Sequence, residues 1–160
     1  MNFLIFKRGL SNSAIPAFMK ELFEKRSTFE GFDQLFTSKW KIVSAPENQG
    51  SCLIELKVDE KLINMNKTIH GGALASLLDI STTVALYNTP IRKLGVSVDL
   101  NISYMKPAKL NETILIDGKV VRYGSKLAFL EAKFYLKEAD SYETKKELLI
   151  ATGSHTKFIV

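Results

Sequence analysis

The stretch "NKTIHGGALASLLDISTTVALYN", residues 66–88, carries only two full charges at neutral pH, Lys67 and Asp79. Leu74, Leu77, Leu78, Ala85 and Leu86 supply a core stripe at helical spacing, so the segment reads as one long helix that is apolar nearly all round. A helix of that kind is surrounded by protein rather than laid on a surface. Whatever this chain folds into must wrap something around its middle. It must also accommodate Asp79, because an ionised carboxylate buried without partners is costly and either takes up a proton or gathers hydrogen bonds. The sequence leaves two settings open. Asp79 sits on a solvent stripe with Ser76 and Thr83, or it lies at a cleft or subunit interface, tuned as a base.

The wrapping material lies on both sides of the helix. Upstream, "KWKIVSAP" and "GSCLIELKVD" read as strands separated by the turn-rich "PENQG". Downstream, Val96, Val98, Leu100, Ile102 and Tyr104 alternate with Ser97, Asp99, Asn101 and Ser103, which places Ser97 on the polar, solvated face of a strand. "TILIDGKVVRY" and "KLAFLEAKFYL" follow as strands joined by the tight "YGSK" connection. A polar loop, "KEADSYETKKE", leads to a last strand in "LLIATGSHTKFIV". Near the N-terminus Ile15, Phe18, Met19, Leu22 and Phe23 mark one face of an amphipathic helix, with Ser11 or Ser13 as its cap. "EGFDQLF" ends in a turn, and "EKLINMNKTIH" is a loop delivering the chain to Gly71. No repeat, low-complexity tract or linker divides the sequence, so residues 1–160 form one domain. Consecutive strands joined by short turns pair antiparallel. The expected class is therefore α+β, a curved antiparallel sheet wrapped around a long central helix.

Composition removes several function classes. No uninterrupted apolar run reaches the roughly 18 to 20 residues of a membrane-spanning helix. The single cysteine, Cys52, excludes an intramolecular disulfide framework and reads as a small buried hydrophobe. The two histidines stand far apart, so no zinc-ligand spacing exists. A net charge of +5 is too weak to argue for nucleic acid, yet it suits a small ligand carrying phosphates. Lys7, Arg8 and Lys20 precede the first acid, Glu21, a pattern loosely like a mitochondrial presequence. The other reading of that segment is a packing extension, so the expected compartment is cytoplasmic or mitochondrial.

Candidate chemistry gathers at "IHGGA". Glycines at a helix start let a ligand approach the backbone, and first-turn N–H groups have no intrahelical acceptor. With the positive end of the helix dipole they can hold an anion or a developing oxyanion. Asp79 lies eight residues beyond Gly71, about 12 Å of axial rise. That is too far for both to meet one reacting carbonyl, unless antiparallel helices of two subunits bring Gly71 of one beside Asp79 of the other. His70 is either a ligand contact or a local cap, and His155 reads as structural or exposed.

The segments "HGGALASLLDISTTVAL", "GVSVDLNISYMKPAKL" and "LIATGSHTKF", in that order, resemble the hotdog-fold thioesterases. Within them the resemblance is to the acyl-CoA thioesterase 13 group, also called thioesterase superfamily member 2, over residues 57–158. It implies a hotdog fold whose subunits join sheets, with active sites at the dimer interface and a dimer of dimers as the assembly. It also implies Asp79 as general base or nucleophile, Ser97 orienting the attacking water, and Gly71 polarising the thioester carbonyl through its N–H. Asn64 would help place water or substrate, with His70 beside it. Lys109, Arg122 and Lys126 would meet the phosphates of coenzyme A. The turn Arg122, Tyr123, Gly124, Ser125, Lys126 aligns with a nucleotide-binding turn, and Leu127 and Tyr104 complete the substrate side. The loop "KEADSYETKKE" is longer than the family's corresponding turn. The implied reaction is hydrolysis of a medium- or long-chain acyl-CoA, with no metal and no cofactor beyond the coenzyme A of the substrate itself. Two rival readings are a hotdog 3-hydroxyacyl dehydratase and a non-catalytic acyl-CoA-binding protein.

Overall fold

The structure, a computed structural model, describes residues 15–160. The basic segment with Lys7 and Arg8, and the cap candidates Ser11 and Ser13, lie outside the described residues. The element order is α1 (Ala17–Thr28), α2 (Gln34–Thr37), β1 (Lys41–Ser44), β2 (Ser51–Lys57), α3 (Gly71–Tyr87), β3 (Val96–Tyr104), β4 (Thr113–Tyr123), β5 (Leu127–Leu136) and β6 (Leu149–Phe158), with a 3-10 turn at Lys146–Leu148. The six strands form one antiparallel sheet in the order β1-β2-β4-β5-β6-β3.

The helix at the centre is α3. Eleven of its seventeen residues are buried, including Ser81, Thr82 and Thr83. Those three hydroxyls donate to carbonyls one turn back, Ser81 and Thr82 to Leu78 and Thr83 to Asp79, so a polar run sits in an apolar setting without orphaned donors. Each fully buried leucine, such as Leu77 or Leu78, contributes about 1.5–3 kcal/mol relative to exposure. The helix begins at His70, whose Nδ1 accepts from the Gly72 N–H at 2.8 Å. It ends before Thr89-Pro90, because a residue preceding proline is pushed out of helical geometry. Buried Asn88 then ties this end down, donating through Nδ2 to the carbonyls of Pro46 and Ser51. The sheet wraps closely enough that a side chain at Gly153 would start 2.4 Å from Leu78 Cδ2.

Two features differ from the sequence expectation. Strand β3 is not the neighbour of β4 but the edge strand beyond β6. The register of β3 against β6 shifts between Ser97 and Asp99, a bulge at Val98. The bulge reverses the alternation: Leu100 and Ile102 still pack on the core, but Ser97 turns to the same side, toward α3, instead of sharing the solvent face of Asp99 and Asn101. Val98 is left 61% exposed. The N-terminal face agrees with its periodicity, for Met19 is buried and Ile15, Phe18, Leu22 and Phe23 pack against the same core.

Candidate active site

Two sets of functional groups lie along α3, one at its first turn and one two turns further on. At the first turn, Gly71 precedes the capped Gly72 and carries an N–H for which the helix has no acceptor. Its carbonyl accepts from the Tyr104 hydroxyl at 3.0 Å. A Cβ at position 71 would sit 3.3 Å from Tyr104 Cζ, close enough that the ring would have to give by a few tenths of an ångström. Beside them opens a groove of about 330 Å³ lined by Ile69, Gly71, Leu74, Tyr104, Met105, Lys106 and Pro107. Asn64 stands in the preceding loop, which closes on itself through the Ile63–Ile69 bridge. Its Oδ1 is occupied by the N–H groups of Asn66 and Thr68 and by the Thr68 hydroxyl, so the side-chain NH₂ is the part able to donate outward.

At the second set, Asp79 is half-exposed, with 46% of its side chain accessible. Four groups converge on its Oδ1: Thr83 Oγ1 at 3.3 Å, Ser97 Oγ at 3.4 Å, Lys157 Nζ at 3.4 Å and His155 Nε2 at 3.8 Å. The setting is neither of the two alternatives in pure form. Thr83 does share its stripe, but β6 covers that stripe with Lys157 and His155, and the edge strand β3 adds Ser97. Lys157 is only 4% exposed, and its ammonium also donates to Thr83 Oγ1 at 2.7 Å.

A buried histidine ties the carboxylate to the helix. Burial and the neighbouring Lys157 push the His155 imidazole down to about 4, so at neutral pH the ring is uncharged and has one N–H. Its Nδ1 lies 2.6 Å from the Thr82 hydroxyl and its Nε2 3.0 Å from Ser97 Oγ. The Ser97 hydroxyl in turn donates to Asp79 Oδ1 at 3.4 Å, so a hydrogen-bonded chain runs from Thr82 through His155 and Ser97 to the carboxylate.

The remaining candidates divide between the two ends of the molecule. Arg122 and Tyr123 end β4 and line a hollow of about 200 Å³ with Asn48, Gly50, Thr89 and Val120. Gly124, Ser125 and Lys126 form the connection to β5, closed by the Gly124 N–H to Leu127 carbonyl bond. Leu127 aligns with Phe158 of β6 and, across it, Val96, which puts this turn at the Asp79 end. Lys109 lies at the opposite end, bridged to Thr68 near the Gly71 set. A single chain therefore brings together Asp79 with Ser97, and Gly71 with His70 and Tyr104, but not these two sets. His155, Lys157, Thr82 and Thr83 complete the Asp79 set although the sequence analysis gave them no role in a site. Their signal was the inward face of β6, where Ala151 and Gly153 are followed by His155 and Lys157 at strand period. Among the described residues, no group of three or more His, Cys, Asp and Glu side chains could hold a metal ion.

Residues 66–141 match the model of the family described as "Thioesterase superfamily". The chain is 35% identical over 147 residues to acyl-coenzyme A thioesterase 13 of Mus musculus, covering 92% of this chain and 98% of that protein. It is 36% identical over 141 residues to the Homo sapiens protein of the same name, covering 88% and 94%. Among solved structures, zebra fish thioesterase superfamily member 2 superposes with a TM-score of 0.77 at 36% identity, over 88% of this chain and 95% of that one. The antiparallel sheet around one helix is the hotdog arrangement that the sequence resemblance implied.

Proposed function

The chain belongs to the thioesterase superfamily, and from that premise we propose that it hydrolyses medium- or long-chain fatty acyl-CoA to a free acid and coenzyme A at a site shared by two subunits. The observation that carries this reading is the Asp79 carboxylate, half-exposed beside the edge strand, with Ser97 turned toward it. Attack on a thioester carbonyl forms a C–O bond and throws negative charge onto the carbonyl oxygen before the C–S bond breaks. Asp79 would supply the attack by taking a proton from water, or by adding to the carbonyl and giving an anhydride that water opens. Ser97, hydrogen-bonded between His155 and Asp79, would accept the second hydrogen of that water through a lone pair and fix its approach. The Gly71 N–H would stabilise the oxyanion, a contribution worth about 2.7–4 kcal/mol for comparable donors. The departing thiolate of coenzyme A takes up a proton, which closes the cycle. No metal or added cofactor enters this chemistry.

Self-association is supported by the exposed edge of β3. Val96, Val98 and Tyr104 are each more than half exposed there, and an unpaired strand edge is a template for another strand. Antiparallel pairing of two copies about a two-fold axis sets the Ser97 end of one strand against the Tyr104 end of the other. Asp79 then faces the partner subunit's Gly71, which removes the 12 Å problem. Arg122 and Lys126 would meet phosphates at the Asp79 end of one subunit, and Lys109 would join them from the partner. A dimer of dimers, and a cytoplasmic or mitochondrial location, complete the proposal.

The test is thiol release from a panel of acyl-CoAs by the native protein and by Asp79→Ala, with chain association followed by light scattering. Turnover that collapses in an associated Asp79→Ala protein supports the reading. Equal turnover in both would sink the role of Asp79. Binding without turnover in the native protein would favour a non-catalytic acyl-CoA-binding protein.

A further inference from the structure

Lys157 is the least expected group in the molecule. A lysine that is 4% exposed has given up the hydration of its ammonium, a cost a fold accepts only for a paired charge. It gains two contacts in return, the Thr83 hydroxyl at 2.7 Å and Asp79 Oδ1 at 3.4 Å. Thr83 in turn donates to the Asp79 backbone carbonyl at 2.7 Å, so its lone pairs steer the ammonium while its proton is engaged elsewhere. Of the four groups around Asp79 Oδ1, Thr83, Ser97 and the uncharged His155 ring are neutral, and Lys157 alone brings a positive charge.

We propose that Lys157 is a positioning residue for the hydrolysis: its buried ammonium, steered by Thr83, anchors Oδ1 of Asp79 so that Oδ2 is the oxygen presented to water and thioester. The inference rests on the reading of Asp79 given above. A carboxylate on a freely turning χ2 would share its two oxygens between solvent and site. Anchoring one oxygen with a charged donor, itself immobilised by packing, fixes the plane of the other. Lys157 touches no reacting atom and works only through Asp79.

The charged groups around Lys157 define its pH behaviour. Asp79 faces it from α3, His155 from its own strand, and Asp99 of β3 acts on that histidine. Arg26 of α1 and Asp33, joined by a 2.9 Å ion pair, approach from the N-terminal layer. Burial pushes Lys157 below the ordinary lysine range, while Asp79 pulls the other way. As pH rises through that lowered value the ammonium is lost, and turnover falls with it.

The experiment compares the native protein with Lys157→Met and Lys157→Arg in acyl-CoA thiol-release assays from pH 6 to 10, with thermal melts of each. The expected result for Lys157→Met is a fall of about 10- to 100-fold in kcat with KM within about threefold, since a displaced catalytic group costs rate rather than binding. Its alkaline limb disappears, and its Tm holds or rises, because the desolvated ammonium has been removed while its partner Asp79 stays half-exposed to water. Lys157→Arg keeps the charge and recovers part of the rate. Should Lys157→Met not fold, Thr83→Val is measured instead, and a kcat loss with KM unchanged is expected there too. Native kcat, or a native alkaline limb, in the folded Lys157→Met protein overturns the inference. So does a kcat loss matched by a rise in KM and a fall in Tm, which would mark a structural lysine. Asp79→Ala runs alongside: if it is dead while Lys157→Met is native, only this inference fails, and if it keeps native turnover, both readings fail.

Discussion

The first turn and the middle of the central helix, on the reading proposed above, would handle charge at a reacting carbonyl by different means. At Gly71 the device is backbone: an unaccepted N–H at a helix start, next to an apolar groove, with Tyr104 closing over it. At Asp79 it is side chain: a carboxylate surrounded by Lys157, His155, Ser97 and Thr83, drawn from two strands and the helix itself. An added methyl group at the first crowds the Tyr104 ring, whereas the second rests on side chains brought in from distant strands. Backbone donors are fixed by local chain geometry, whereas the carboxylate depends on residues as far as 78 positions away.

That contrast can be broken by substitution. The largest effect belongs to Asp79→Asn, which keeps the shape and removes the charge. Thiol release should fall about a thousandfold or more with the far-ultraviolet spectrum unchanged. A loss below about tenfold would mean the acid end is not the reacting end.

Next comes the pH dependence of stability. The His155 value of about 4 lies below the ordinary 6.5, so the unfolded chain binds a proton that the folded chain refuses. Stability from this group is fully present above about pH 6.5 and is lost as pH falls toward 4. Urea midpoints at pH 7 and pH 4.5 should differ clearly in the native protein, and by much less in His155→Gln.

At the backbone end, Gly71→Ala adds one methyl group 3.3 Å from the Tyr104 ring. The ring must give by a few tenths of an ångström, and kcat should drop roughly tenfold to a hundredfold while the melting temperature moves only a few degrees. A stability loss without a rate loss would make this glycine structural.

The smallest effects lie at the rim. Arg122→Gln and Lys126→Gln should each raise KM for acyl-CoA about two- to fivefold at low salt, with the difference fading at high ionic strength. A change in kcat instead would remove these residues from phosphate binding.

How much of this was legible in the sequence follows the same division. The core helix, β4, β5 and β6 agree with their periodic segments, because local burial alone dictates those patterns. Gly71 and His70 were readable as a helix start, and His70 does cap Gly72. Strand β3 was readable as a strand but not as an edge, since nothing local says that the chain crosses the sheet to join β6. Its face was misread because the bulge at Val98 inverts the alternation on which the reading depended. Strand period in β6 could place Lys157 on the inward face, but not beside Asp79. A lysine in a C-terminal strand is solvated in most chains, and only the closure of β6 over α3 buries it.

On the reading proposed above, one working site takes Asp79 from one chain and Gly71 from another. Subunit mixing tests it most directly: Asp79→Asn and Gly71→Val proteins, each inactive alone, are unfolded together, refolded and assayed for thiol release. If the site is shared, each mixed dimer carries one site with both groups intact, and activity should return to about a quarter of the native rate, as random pairing of two chains requires. If both groups act within a single chain, every site in the mixture keeps one lesion and no activity returns, which would contradict the account.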